Sequence, residues 1–214
     1  MTDSTVSRMF LVIDTSTTRG CVALVNAANP AAVAVVARHE FQSERSHNSQ
    51  IFAPLGALLE TLGDAPLDRI LVATGPGSYT GIRIGIAAAN GIAAARGCPV
   101  IGVPSVLGLG DPEVNEFHVI GDARRGSAFH WEVKAGATVG GTGMFPVEQL
   151  AERRLDWSGP LLTLDPNPLA EGILPALPEV TTLVARFLAN ESAYPTDLAV
   201  EPVYLGAPFV TTAK

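Results

Sequence analysis

The sequence is poor in cysteine, lysine and charged residues, and each shortage excludes a class of protein. Its two cysteines, Cys21 and Cys98, are too few for a disulfide framework and sit in no metal-type cluster. Lysine occurs only twice and the net charge is −7, so the chain lacks the basic surface that unaided nucleic-acid binding requires. The one basic pair, Arg124 and Arg125, is typical of a solvated turn.

Long apolar runs are also missing. No stretch approaches the ~20 apolar residues of a membrane-spanning helix. The first residues lack the basic-then-apolar order of a signal peptide. Hydrophobic residues nevertheless make up 47% of the sequence and charged residues 16%, which indicates a globular core. We therefore expect a cytoplasmic protein that does not contact a membrane.

Hydrophobic periodicity predicts an α/β order in the first half of the chain. Three strands with short connections predict an antiparallel meander, and the pattern then alternates between helix and strand. The elements are predicted, in order, as strands at 9–13, 21–25 and 32–37, a helix at 46–62, a strand at 70–73, a helix at about 80–96 and a strand at 100–103.

The second half carries weaker signals. Strands are predicted at 116–122 and 127–133, and short helices at 146–154 and 179–190. The stretch 155–178 is rich in proline and gives no defined prediction.

The most informative stretch is Gly75-Pro-Gly-Ser-Tyr-Thr-Gly-Ile-Arg-Ile-Gly85, a glycine-rich turn from a buried strand into a helix. Such a turn favours anion binding, because a helix N-terminus presents unpaired N–H groups. A P-loop is excluded because no lysine opens the helix. A dinucleotide fingerprint is incomplete, because the acid it needs about 20 residues later is missing.

A third interpretation is structural. Gly77, Gly81, Gly85 and Ala89 recur every four residues and form a smooth ridge along one helix face. Each interior glycine costs about 1 kcal/mol of helix stability relative to alanine, so a close backbone approach is expected to offset it. The ridge packs either on the protein's own sheet or on a partner helix, and the sequence leaves both open.

Five segments together resemble the TsaB (YeaZ) family. They follow the family's order along nearly the whole chain, at 11–17, 46–50, 75–85, 122–126 and 201–205. The resemblance implies a two-lobed, actin-like α/β fold of the sugar kinase/Hsp70/actin type, with mixed sheets flanked by helices. We place the lobes at 1–104 and 105–214, with the second lobe trimmed after Ser105.

The resemblance also implies a function in making N6-threonylcarbamoyladenosine at position 37 of tRNAs that read codons beginning with A. TsaB-like proteins pair with a catalytic TsaD-like subunit, and a TsaE-like ATPase acts through that pair. The two metal-binding histidines of TsaD, at i and i+4 on a helix, have no counterpart here, which agrees with a non-catalytic subunit. Without the TsaD-like subunit the partner surface would be exposed, so we expect the isolated chain to be a homodimer. We expect it to meet tRNA only within the complex.

The expected partner surface lies on the helices at 47–62 and 80–96. Its candidate residues are Ile51, Leu55, Leu58, Gly81, Arg83, Gly85 and Ala89. A weak, vestigial site for ATP, ADP or Mg²⁺ is placed on Asp14, Thr15, Thr17, Gly75, Gly77 and Ser78.

Asp14 supports two interpretations. It either holds a hydrated Mg²⁺ or closes an Asx-type turn after the first strand. The alternative function is a small-molecule kinase of the same superfamily, which would use Asp14 and the Gly75 loop for ATP and Asp122 as a second acid. Asp122 lies beside Arg124 and Arg125, which offer it ion-pair partners.

Overall fold

The first half of the chain forms a five-stranded sheet in a computed structural model that describes residues 7–42, 50–196 and 199–205. The strands are β1 Arg8–Asp14, β2 Arg19–Ala27, β3 Val33–Gln42, β4 Arg69–Ala73 and β5 Val100–Val103. They lie in the order β3-β2-β1-β4-β5. The first three form the predicted antiparallel meander, and β1, β4 and β5 run parallel to one another.

Two helices, α1 Phe52–Leu62 and α2 Tyr79–Arg96, cover one face of this sheet. Each turns an aliphatic stripe inward, onto a core that includes Leu11 and Val72 of the strands. α1 lies over β2 and β3, whereas α2 lies over β1 and β4. Both predicted helices are confirmed, although the predicted start of the first, at 46–49, falls outside the described residues.

A second five-stranded sheet follows. Its strands are β6 Phe117–Arg124, β7 Ser127–Lys134, β8 Ala137–Pro146, β9 Leu161–Thr163 and β10 Leu174–Pro175. They lie in the order β10-β9-β6-β7-β8, with β6, β7 and β8 antiparallel and β9 and β10 parallel to β6. Only β6 and β7 were predicted. Both sheets are mixed, which confirms the α/β class.

The remaining helices are short. The predicted helix at 146–154 is α3 Leu150–Arg153 with a 3₁₀ turn at either end. The last helix is α4 Val180–Ala189, close to its predicted bounds. Among the residues that the structure describes, no helix has both the length and the apolar character needed to cross a bilayer.

One hydrophobic core joins the two sheets through α4. It includes Phe10 of β1, Val119 of β6 and Phe187 of α4. Ion pairs fix α4 to the first sheet at both ends, since Glu179 pairs with Arg38 at 2.8 Å and Glu191 with Arg8 at 2.8 Å. The lobe boundary between residues 104 and 105 stays a prediction.

Arg186 of α4 holds the segment that connects the sheets. Its side chain is buried, and its guanidinium nitrogens donate to the carbonyl oxygens of Leu107, Leu109, Asp111 and Val114. The three bonds to Leu107, Asp111 and Val114 are 2.8–2.9 Å long. A charged donor that serves four carbonyls in the interior stabilises the connection strongly.

We expect Arg186→Met to lower the free energy of unfolding by about 2–4 kcal/mol, because methionine keeps the apolar stem but leaves the buried carbonyls without donors. Urea unfolding measures the change. The matched control is Arg96→Met, an exposed arginine that donates to one carbonyl, that of Gly63, and should change stability by less than about 0.5 kcal/mol. A loss below about 1 kcal/mol at Arg186 would contradict this account.

Candidate functional site

The glycine-rich segment turns from β4 into α2 as predicted. Gly75 and Gly77 have φ angles of 107° and 146°, in the region that favours glycine. Ser78 caps the helix, since its Oγ accepts a hydrogen bond from the N–H of Gly81 at 3.2 Å. The segment therefore leads into a helix N-terminus, the element at which anions bind.

The loop that follows β1 closes this turn. The N–H of Ser78 donates to the carbonyl oxygen of Ser16 at 2.6 Å, and Thr15 Oγ1 donates to the carbonyl oxygen of Gly81 at 2.8 Å. A Cβ on Gly77 would overlap the Ser16 carbonyl. A backbone oxygen with partial negative charge therefore occupies the approach that a phosphate would need. The turn does not fit a nucleotide phosphate.

The predicted cofactor residues lie together at the carboxyl ends of β1 and β4, but they bond to the chain itself. Besides Thr15, Thr17 also donates its hydroxyl to a carbonyl, that of Arg19 at 2.9 Å. The N–H of Gly75 donates to Ser105 Oγ at 3.0 Å. These hydroxyl and amide donors hold the loops against each other.

Asp14 is the exception among them. Its Oδ1 accepts a hydrogen bond from the N–H of Ser16 at 2.8 Å, which is the Asx-type turn that the sequence suggested. Its Oδ2 and the nearby Ser16 Oγ are buried and have no hydrogen-bond partner among the described residues. Burial raises the pKa of the Asp14 carboxyl. Two such oxygens suit a hydrated cation or a buried water, and they offer nothing to a phosphate.

The ridge of small residues packs on the protein's own sheet. A Cβ on Gly81 would overlap the carbonyl oxygen of Thr15, and one on Gly85 would lie 2.5 Å from Thr15 Oγ1 and 3.6 Å from Val72. Ala89 is fully buried in the same core. Of the two alternatives left open by the sequence, the structure therefore shows internal packing. Gly81, Gly85 and Ala89 are not available to a partner helix.

The three aliphatic residues proposed for the partner surface are internal as well. Ile51, Leu55 and Leu58 are buried under α1 in the core of the first sheet. The reason is that the apolar stripe of an amphipathic helix turns towards its own sheet. Of the seven predicted interface residues, Arg83 alone is exposed, on α2.

Apart from Arg83, the outward faces of the two helices carry residues that the sequence analysis missed. On α1 they include Phe52, which is 58% exposed, and the partly exposed Gly56. On α2 they include Arg83, Ala87 and Gly91. The sequence could have indicated these residues, because they occupy the helix positions that lie outside the apolar stripe.

Asp122, the second acid of the kinase alternative, is committed to its own turn. Its Oδ1 accepts from the N–H of Arg124 at 2.7 Å, and its Oδ2 pairs with the Arg124 guanidinium at 3.0 Å. The Asp122 carboxylate is thus bonded within its own turn.

Two histidines that are distant in sequence meet on the second sheet. His118 Nδ1 and His130 Nε2 are 2.9 Å apart, and the His130 ring stacks on Trp157 with centroids separated by 4.1 Å. Burial is the main cause that lowers the pKa of His130 to about 4, and the nearby His118 lowers it further. In the described part of the chain, no group of three or more His, Cys, Asp or Glu side chains is arranged to hold a metal ion.

The two mixed sheets with their flanking helices define the class of protein, an α/β fold. A YeaZ structure from Pseudomonas aeruginosa superposes with a TM-score of 0.68 at 22% identity, covering 92% of this chain and all of that chain. A second structure from that organism, described as similar to peptidase YeaZ, gives a TM-score of 0.70 at 22% identity, covering 93% of this chain and all of that one. These likenesses establish the fold.

Sequence comparison then gives the family. The family model of TsaD, tRNA N6-adenosine threonylcarbamoyltransferase, matches residues 35–148, more than half of the chain. The TsaB protein of Bacillus subtilis is 33% identical over 127 residues, covering 56% of this chain and 52% of that protein. Escherichia coli TsaB is 35% identical over 99 residues, covering 45% and 40%. The chain belongs to this family of TsaD-type domains, within its TsaB/YeaZ branch.

The match to curated relatives is partial in length. An uncharacterized protein of Mycobacterium tuberculosis is 34% identical over 115 residues, covering 49% of this chain and 54% of that protein. The chain thus spans about half the length of the curated relatives it matches.

We expect Asp14→Asn to stabilise the protein at pH 7 by on the order of 1 kcal/mol, because asparagine keeps the acceptor for Ser16 and removes a buried charge. Burial holds the folded-state pKa of Asp14 above the unfolded value of 3.8. Stability contributed by the neutral acid is therefore lost as the pH rises through the folded-state pKa. The gain from asparagine should shrink as the pH falls towards 4, in urea unfolding at each pH.

Mg²⁺ provides the control for this variant. If Asp14 Oδ2 and Ser16 Oγ hold a cation, millimolar Mg²⁺ should raise the unfolding midpoint of the wild type and leave that of Asp14→Asn unchanged. An asparagine variant that is less stable than the Mg²⁺-free wild type at pH 7 would contradict the assignment of Asp14 as a destabilising buried acid.

Proposed function

We propose that the chain is the non-catalytic, TsaB-type partner of a TsaD-like catalytic subunit. The pair would act in the cytoplasm to form N6-threonylcarbamoyladenosine at position 37 of tRNAs that read codons beginning with A. Family membership and the TsaB relatives support the pathway. The observation that carries the non-catalytic role is the closure of the glycine turn by Thr15 and Ser16.

This closure affects the substrate chemistry directly. Threonylcarbamoyl transfer and nucleotide hydrolysis both need donors aimed at a developing anion. Here the N–H of Ser78 and the hydroxyl of Thr15 are bound to backbone carbonyls. The chain therefore contributes a folded surface to the complex, and the catalytic groups belong to the partner.

The outward faces of α1 and α2 are the proposed contact. Gly56 and Gly91 lie in the interiors of these helices, where glycine costs about 1 kcal/mol relative to alanine. Gly81 and Gly85 have an internal reason for lacking a Cβ, but a Cβ on Gly56 or Gly91 would meet no atom of the described residues within 4 Å. Close approach of a helix from another subunit would explain why these two positions lack a Cβ. We therefore keep the predicted partner contact on these two helices but place it on their outward faces.

The same surface accounts for the other proposed partners. An isolated chain would pair with a second copy through the exposed Phe52 and the smooth face of α2, giving a homodimer. The TsaD-like subunit would replace that copy. A TsaE-like ATPase would act on the resulting pair, and tRNA would meet this acidic chain only within the complex.

We expect Gly91→Leu to break the pairing while the isolated chain stays folded. Leucine favours the helix and points into open space, so the melting temperature should not fall. Its side chain would separate two closely packed helices, and the affinity for the TsaD-like subunit should fall at least tenfold. Calorimetric titration and co-purification measure the affinity, and light scattering should show a monomer in place of the homodimer.

Gly85→Leu is the matched control in the same helix. Its side chain would collide with Thr15 Oγ1 and the sheet, so this variant should unfold or melt far below the wild type. Undiminished pairing by a well-folded Gly91→Leu chain would contradict the proposed contact. Loss of tRNA modification when the chain is omitted from a reconstituted reaction tests the pathway itself.

A further inference from the structure

The hairpin between β6 and β7 has an unusual backbone at its tip. Arg124, Arg125 and Gly126 have φ angles of 70°, 53° and 73°, so three consecutive residues are left-handed. For residues with a Cβ this conformation costs roughly 1–2 kcal/mol each, and asparagine, aspartate and glycine are the usual occupants. Two adjacent arginines are therefore held in a conformation that their side chains disfavour.

The hairpin at the other end of β7 shows what a turn of this type requires. There Ala135 and Gly136 have φ angles of 52° and 70°, and they connect Lys134 and Ala137 in a two-residue turn. Arg125 and Gly126 repeat that geometry. Arg124 adds a third left-handed residue, where the register shifts between Asp122 and Arg124. The strain at Arg124 is thus additional to what the turn demands.

Neighbouring groups brace this tip. The Asp122 carboxylate bonds the N–H and the guanidinium of Arg124 at 2.7 and 3.0 Å, and the N–H of Asp122 donates to Asp165 Oδ2 at 2.8 Å. The carbonyl oxygen of Gly126 accepts from the N–H of Val147 at 2.9 Å. The Arg124 side chain nevertheless remains 82% exposed. The backbone is fixed, and the guanidinium faces solvent while one of its nitrogens pairs with Asp122.

We propose that Arg124 and Arg125 bind the phosphate backbone of RNA. A guanidinium presents a planar fork of donors that matches phosphate, and strain kept at a braced, exposed site indicates a function. A net charge of −7 prevents this pair from binding RNA unaided, so the contact adds to the affinity of a complex. The inference rests on the proposed function, in which tRNA is the polyanionic component.

The position of the tip separates this contact from the protein partner. Arg124 and Arg125 lie at a hairpin tip of the second sheet, whereas α1 and α2 pack on the first. An acidic surface on the partner protein is the competing occupant, and a binding test distinguishes the two.

The test uses the full chain paired with its TsaD-like subunit. The double variant Arg124→Asn/Arg125→Asn keeps residues that accept left-handed backbone, so its melting temperature should equal or exceed that of the wild type. We expect the pair to assemble normally, its tRNA affinity to fall roughly tenfold, and the slope of log affinity against log salt to fall by about 1–2. Ala135→Asn, at the other tip of β7, should leave affinity and slope unchanged.

Each other outcome has a definite meaning. Unchanged affinity and salt slope in the double variant would overturn the inference and leave the proposed function intact. Loss of pairing with the TsaD-like subunit would overturn it in favour of a protein contact. A wild-type chain that forms no pair would overturn the proposed function together with this inference. Should the double variant unfold, Arg125→Asn alone decides, because asparagine is a preferred residue at that turn position.

Discussion

Where α2 begins, its first turn lies directly against the backbone of Thr15 and Ser16. The Ser78 N–H bonds the Ser16 carbonyl at 2.6 Å, and the Thr15 hydroxyl bonds the Gly81 carbonyl at 2.8 Å. This approach is so close that a Cβ at Gly77 would overlap the carbonyl oxygen of Ser16, and one at Gly81 that of Thr15. It sets α2 on the sheet, aligns the ends of β1 and β4, and uses donors that a phosphate would otherwise bind.

The same approach separates two kinds of helical glycine. Gly81 and Gly85 lack a Cβ because their own sheet fills the space, whereas a Cβ on the outward-facing Gly56 or Gly91 would contact none of the residues that the structure describes. The first kind allows α2 to pack on its sheet. The second kind lowers helix stability by about 1 kcal/mol per residue relative to alanine, and packing within the isolated chain does not require it. The proposed contact with a partner subunit accounts for the second kind. It also accounts for an exposed Phe52 at the start of α1.

Sequence patterns predicted the first sheet well, because β1 to β3 and both helices have clear periods and sharp turn signals. They failed at β8, whose glycine-rich run at 140–143 reads as loop, and at β9 and β10, which are three and two residues long. The spacing of Gly77, Gly81 and Gly85 predicted a ridge of small residues on one helix face. Whether that face meets the protein's own sheet or a partner depends on tertiary packing, which the spacing does not specify. The contact between His118 and His130 depends on strand register, which local patterns do not specify.

The central claim is that the glycine turn is filled by the chain's own backbone. Nuclear magnetic resonance of the isolated, ¹⁵N-labelled protein tests it most directly, by titration with Mg-ATP while the amide signals of Gly77, Ser78 and Gly81 are followed. The account predicts that these signals stay in place at millimolar nucleotide, because Ser78 and Gly81 already donate to Ser16 and to the Ser78 side chain. Saturable shifts at all three amides would contradict it and reopen a nucleotide site at the start of α2.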